Sequence, residues 1–70
     1  MTTTGERIRR ARLRAVWGQA ELARAAGMSV AGLWQIENGQ RQPRPATIRK
    51  IAAVLGVPPQ DLVQHQVGDQ

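Results

Sequence analysis

Apolar positions recur with a helical period along most of this chain, and glycine or proline interrupts the pattern at short intervals. From Gly5 or Glu6 to about Ala15, Ile8, Ala11, Arg12 and Ala15 share one face, while Arg7, Arg10 and Arg14 lie on the other. Val16-Trp17-Gly18 breaks this first helix. A second helix is expected from Gln19 to Ala26, with Leu22, Ala23 and Ala26 inward and Gly27 at its end, where a left-handed residue fits best. Ser29 is a natural N-cap for a third helix over 30–38, which Gly39 would stop.

The stretch from Gln40 to Arg44 reads as a polar loop. Pro45 then opens a fourth helix that carries Ile48, Ile51, Ala52 and Leu55 at core spacing and stops at Gly56. Pro58-Pro59 introduces a last short helix, with Asp61 near its positive end and Leu62 facing inward. These elements predict an all-α fold, a compact bundle of five short helices. Residues 1–4 form a disordered N-terminus in this reading, 5–64 the domain, and 65–70 a flexible tail.

Composition narrows the chemistry. The 70 residues contain no cysteine, which excludes disulfide staples, thiolate nucleophiles and cysteine metal sites. The single histidine, His65, has no second histidine to complete a ligand set and reads as a solvated tail residue. No nucleophile–base pair, phosphate loop or pocket-forming pair of carboxylates stands out, so neither an enzyme nor a cofactor is expected. No segment approaches the roughly 18 apolar residues of a bilayer span. The expected setting is the cytoplasm, in association with the nucleoid. The net charge is +5, and nine of the ten basic residues are arginines. Such a balance favours a polyanionic partner.

The segment Gln19–Ile36, QAELARAAGMSVAGLWQI, narrows the reading further. Two helices joined by a tight turn cross closely and need a small inward residue on the first, which Ala23 supplies. The turn needs positive φ, which Gly27 supplies, and Leu33 and Ile36 can bury against the first helix. With Leu33, Ile36 and Glu37 turned inward, Val30, Ala31, Trp34, Gln35 and Asn38 face outward together. That face is mostly small or apolar, with one large aromatic and two amides. Gln pairs with adenine, and small apolar side chains meet thymine methyls. The same face could instead seat a protein partner, with Trp34 as the anchor.

From Ile8 to Leu62 the sequence resembles the lambda-repressor-like helix-turn-helix family of the Cro/phage-repressor or XRE type. The matching residues are Ile8, Arg12, Gln19, Glu21, Leu22, Ala23, Gly27, Ser29, Leu33 and Ile36-Glu37-Asn38-Gly39. Pro43, Ile48, Ile51-Ala52, Leu55-Gly56-Val57 and Asp61-Leu62 complete the pattern. The resemblance implies a DNA-binding transcriptional regulator, often a repressor, whose recognition helix over about 30–38 enters the major groove of double-stranded DNA. Homodimers on palindromic operators are common in the family.

The resemblance also implies roles. Val30, Ala31, Gly32, Trp34 and Gln35 would face bases or groove. Gln19, with its side chain and helix N-terminus, would meet a phosphate together with Ser29, Asn38, Arg41 and Arg44. Arg12 and Glu37 would form a structural ion pair between the first and third helices. Val16 stands where the family often has Gly, and Gly18 where it often has Ser or Thr. These departures imply a different path for the first turn and a second helix without a side-chain cap. Gly32 would weaken the recognition helix by about 1 kcal/mol relative to Ala. Arg7, Arg9, Arg10 and Arg14 fall away from the expected groove and read as solvated or long-range charges. The competing reading is a protein-interaction module, antitoxin-like or transcription cofactor-like, that uses the outer face of the third helix.

Overall fold

The computed structural model describes residues 3–63. The tail, including His65 and the proposed flexible segment 65–70, lies outside the described residues. The described chain forms four α-helices: α1 (Thr4–Arg14), α2 (Gln19–Ala25), α3 (Val30–Glu37) and α4 (Pro45–Leu55). Among the described residues a fifth α-helix is not formed; Pro59–Asp61 is a single 3-10 turn. Two successive prolines bring no N–H donors to this segment. The backbone bonds that close it run from Asp61 N–H to the Pro58 carbonyl and from Leu62 N–H to the Pro59 carbonyl, both 3.0 Å.

The domain also begins earlier than the hydrophobic pattern alone implies. Thr3 caps α1: its Oγ1 accepts from the Glu6 N–H, and the Glu6 carboxylate accepts from the Thr3 N–H, each at 3.1 Å. This reciprocal box satisfies two donors at the helix start. Thr3 and Thr4 therefore belong to the folded unit and not to a disordered end.

The joints between α1, α2 and α3 share one geometry. At the end of α2, the Met28 N–H reaches back to the Ala23 carbonyl (2.9 Å) and the Gly27 N–H to that of Arg24 (3.1 Å), with Gly27 at φ +71°. At the end of α1 the same pair of bonds forms, Trp17 N–H to Arg12 and Val16 N–H to Leu13, both 3.0 Å. Here the left-handed position is held by Val16, at φ +60°. The first turn thus keeps the ordinary path despite its β-branched residue. The second helix does lack a side-chain cap at Gly18; the Glu21 carboxylate accepts from the Gly18 N–H at 3.1 Å, which is half of a capping box.

The inward rows of all four helices and Leu62 meet in one core made of Ile8, Leu22, Ala23, Ala26, Leu33, Ile36, Ile51, Ala52 and Leu62. α2 and α1 both pack on α3, and α4 packs on the 3-10 turn. The small side chain of Ala23 is fully buried, as a close α2–α3 crossing requires. Gly5 does the same for α1. A Cβ at this position would run into the Ile36 carbonyl oxygen and stand 3.2 Å from the Glu37 Cα. Its lack of a side chain lets the backbone of α1 lie directly on the end of α3.

Candidate nucleic-acid interface

The site is built on α3, whose start is fixed by Ser29. The Ser29 Oγ accepts from the Gly32 N–H at 3.0 Å. Its end is fixed by Asn38, which follows the last helical residue and donates its Nδ2–H to the Trp34 carbonyl at 2.8 Å. Leu33, Ile36 and Glu37 are buried, and Val30, Ala31, Trp34, Gln35 and Asn38 are exposed, as helical spacing predicts. Trp34 leaves 46% of its surface uncovered and Val30 44%. The exposed indole and aliphatic surface thus lies on one side of α3, beside Gln35.

Gly32 departs from its expected role. It is buried, not offered to a groove, and lies under Ser29 and Arg41. A Cβ there would stand 2.9 Å from the Ser29 Oγ and 3.4 Å from the Arg41 Nη1. The glycine therefore leaves room beside the side-chain ends of Ser29 and Arg41, at the cost of helix propensity. Its i, i+4 relation to Ile36 already set it beside the inward row.

The loop after α3 carries Arg41 and Arg44 back along the same end of the helix. Both line a concavity of about 400 Å3 that also includes Ser29, Gly32 and Thr47. Both arginines are exposed, and among the described residues the one ion pair is Arg12–Glu37, so neither guanidinium is neutralised by a carboxylate. Positive charge thus borders the N-terminal end of α3, where the free N–H groups of the helix add to it.

Under this face lies the ion pair. Arg12 donates from Nε to Glu37 Oε2 at 2.7 Å and from Nη2 to Oε1 at 3.0 Å, a two-pronged pairing with both side chains nearly or fully buried. The Arg12 Nη1 also donates to the Trp17 carbonyl at 2.9 Å, which ties the α1–α2 turn to the same centre. Gln19 joins it: its Nε2–H donates to Glu37 Oε1 at 3.0 Å. The amide of Gln19 is therefore held against Glu37 at half-buried depth and is not a free arm at the start of α2. Gly5, Thr3 and the Trp17 carbonyl were not singled out as contributors from the sequence. Thr3 alone carried a legible signal, the Thr-x-x-Glu spacing to Glu6.

Residues 4–66 match the helix-turn-helix domain family. The chain belongs to this family. The domain is 41% identical over 64 residues to the HTH-type transcriptional repressor RghR of Bacillus subtilis, covering 90% of this chain and 47% of RghR. Across the curated relatives it matches, the chain spans between 22% and 47% of their length. Its fold is similar to that of the restriction-modification controller protein C.AhdI of Aeromonas hydrophila, with a TM-score of 0.83 at 30% identity over 87% of this chain and 92% of the other. It is also similar to the P22 c2 repressor solved with a synthetic operator, with a TM-score of 0.84 at 26% identity over 94% of this chain and all of the other (100%). The lambda-repressor-like, all-helical architecture expected from the sequence is thereby established, with four α-helices and a 3-10 turn in place of five helices.

Proposed function

We propose that this domain is the DNA-binding module of a transcriptional regulator, with α3 inserted in the major groove of a sequence-preferred duplex. The observation that carries the reading is the outer face of α3, where Trp34 and Val30 are each close to half exposed beside Gln35. Gln35 would pair with a base edge, Val30 and Ala31 would meet thymine methyls, and Trp34 would fill the groove beside them. Arg41 and Arg44, with Ser29 and Asn38 at the two ends of the helix, would hold the phosphate backbone on either side. Gln19 would reach a phosphate only through what remains of its amide beyond the bond to Glu37. The relatives named as regulators and the operator-bound repressor support this reading over a protein-interaction module. The expected setting is cytoplasmic and nucleoid-associated. Two copies on a two-fold symmetric operator would place their α3 helices in half-sites one helical turn, ~34 Å, apart.

Selection of bound duplexes from a random pool, run at two salt concentrations, tests the proposal. The expected result is an enriched palindromic motif that the Trp34→Ala, Gln35→Ala double variant no longer selects while its melting temperature stays within a few degrees of the parent. Recovery of the same motif by that variant would overturn the assignment of α3 as the reading element. Binding without any motif would overturn sequence preference itself.

A further inference from the structure

Three arginines of α1 take no part in the interface above. Arg7, Arg10 and Arg14 follow at i, i+3 and i+7 and so share one side of the helix, about 10 Å long at 1.5 Å per residue. With the segment around Asp61 they line a groove of about 450 Å3. It shares no residue with the concavity beside α3. Among the described residues none of the three guanidiniums pairs with a carboxylate, and Asp61 is the one acidic residue in the lining. Arg7 carries a further mark: its Nε is closed off from water and has no hydrogen-bond partner. A buried donor without an acceptor is a net cost to the fold; an anion in the groove would meet the exposed guanidiniums of Arg10 and Arg14 instead.

We propose that this groove binds a small oligophosphate, an anion that carries at least two phosphoryl groups. Three guanidinium forks in a row match phosphoryl oxygens in geometry and charge, and their spread along the helix suits several such groups better than one. The volume falls in the range of small-molecule sites, about 300–1,000 Å3. Ala11, Val57 and Leu62 add an apolar portion to the lining. Asp61 repels a phosphoryl group and can accept from a hydroxyl or amine, which lets the site distinguish a bare oligophosphate from a nucleotide.

The test is titration of the 70-residue chain with inorganic triphosphate and, separately, adenosine triphosphate, followed by calorimetry and by amide shifts in NMR. Shifts are expected in Arg7–Arg14 and Val57–Leu62. Affinity should fall at least about tenfold in the Arg10→Gln, Arg14→Gln variant, which removes two charged donors from an exposed helix face. Arg7→Gln should weaken it as well, with folding of each variant checked by circular dichroism. Arg41→Gln, Arg44→Gln should leave the affinity unchanged, and Asp61→Asn should tighten inorganic triphosphate. Tighter binding of the nucleotide assigns the natural source to nucleotides, and equal binding to free oligophosphate. Shifts centred on Ser29 and Arg41, unaltered affinity in the Arg10, Arg14 variant, or no binding would each overturn the proposal.

Discussion

Removal of Glu37 by substitution with alanine is the sharpest test of what holds this domain together. The side chain accepts three hydrogen bonds, two from Arg12 and one from Gln19, at 2.7–3.0 Å. In Glu37→Ala the Arg12 guanidinium keeps only its bond to the Trp17 carbonyl and stays at a site where its side chain is 10% exposed. An uncompensated buried charge of this kind costs about 3–5 kcal/mol. A domain of this length has roughly 3.5–10 kcal/mol of total stability at 0.05–0.15 kcal/mol per residue. The variant is therefore expected to be largely unfolded at 37 °C or to melt at least about 12 °C lower, at 4–8 °C per kcal/mol for a small domain. Thermal and urea unfolding followed by circular dichroism at 222 nm measure this directly. Arg12→Ala should cost a similar amount. The Arg12→Leu, Glu37→Met pair, which removes both charges and retains volume, should recover much of the loss. If each single variant stayed within 1 kcal/mol of the parent, the buried pair would contribute little and the reasoning would fail.

Three further outcomes follow from the packing and the loop. Gly5→Ala raises intrinsic helix propensity by about 1 kcal/mol, yet it is expected to lower stability by at least 1–3 kcal/mol, because the Cβ meets backbone atoms of α3 that cannot turn aside; a higher melting temperature would contradict that close approach. Val16→Asn should raise stability by about 1 kcal/mol, because Asn tolerates the left-handed conformation that Val occupies at φ +60°, and Val16, at 87% exposure, gives up no packing; a lower urea midpoint would refute it. In DNA titrations, Arg41→Gln and Arg44→Gln should each weaken binding across all duplexes and reduce the salt slope by about 1; a slope equal to the parent's would remove that arginine from the phosphate contacts.

The elements that periodicity and punctuation can express were legible in the sequence. Ile8, Leu22, Leu33, Ile51 and Leu62 sit at positions where helical spacing puts them inward, and all are fully buried. Ser29, Gly27 and Gly39 mark helix ends by local backbone chemistry, which the chain carries with it wherever it folds. What was not legible depends on a second element arriving. Gly5 looks like an ordinary helix start until the end of α3 lies across it. Gly32 looked like part of an outward face because the resemblance placed it there, and the space it leaves for Ser29 and Arg41 exists only once the loop has returned. Val16 argued against a left-handed turn on steric grounds. The turn forms because its two backbone bonds and the Arg12 clamp on the Trp17 carbonyl hold it. The fifth element is three residues long, and an apolar pattern that rests there on Leu62 alone cannot tell a 3-10 turn from an α-helix.

The bond from Arg12 to Glu37 joins residues 25 positions apart and encloses the whole of α2 between its ends. α2 and α3 are consequently not an autonomous pair that could be cut out and grafted with its reading face intact. Without α1, the carboxylate of Glu37 would lie against an open core with no cation, and the exit of α3 would lose the helix that rests on it at Gly5. The cooperative unit thus takes in α1 together with α2 and α3, and α4 through the core they share. Amides in α1, α2 and α3 should exchange with solvent through one shared opening event, and a truncation that begins at Gln19 should show no protected core at all.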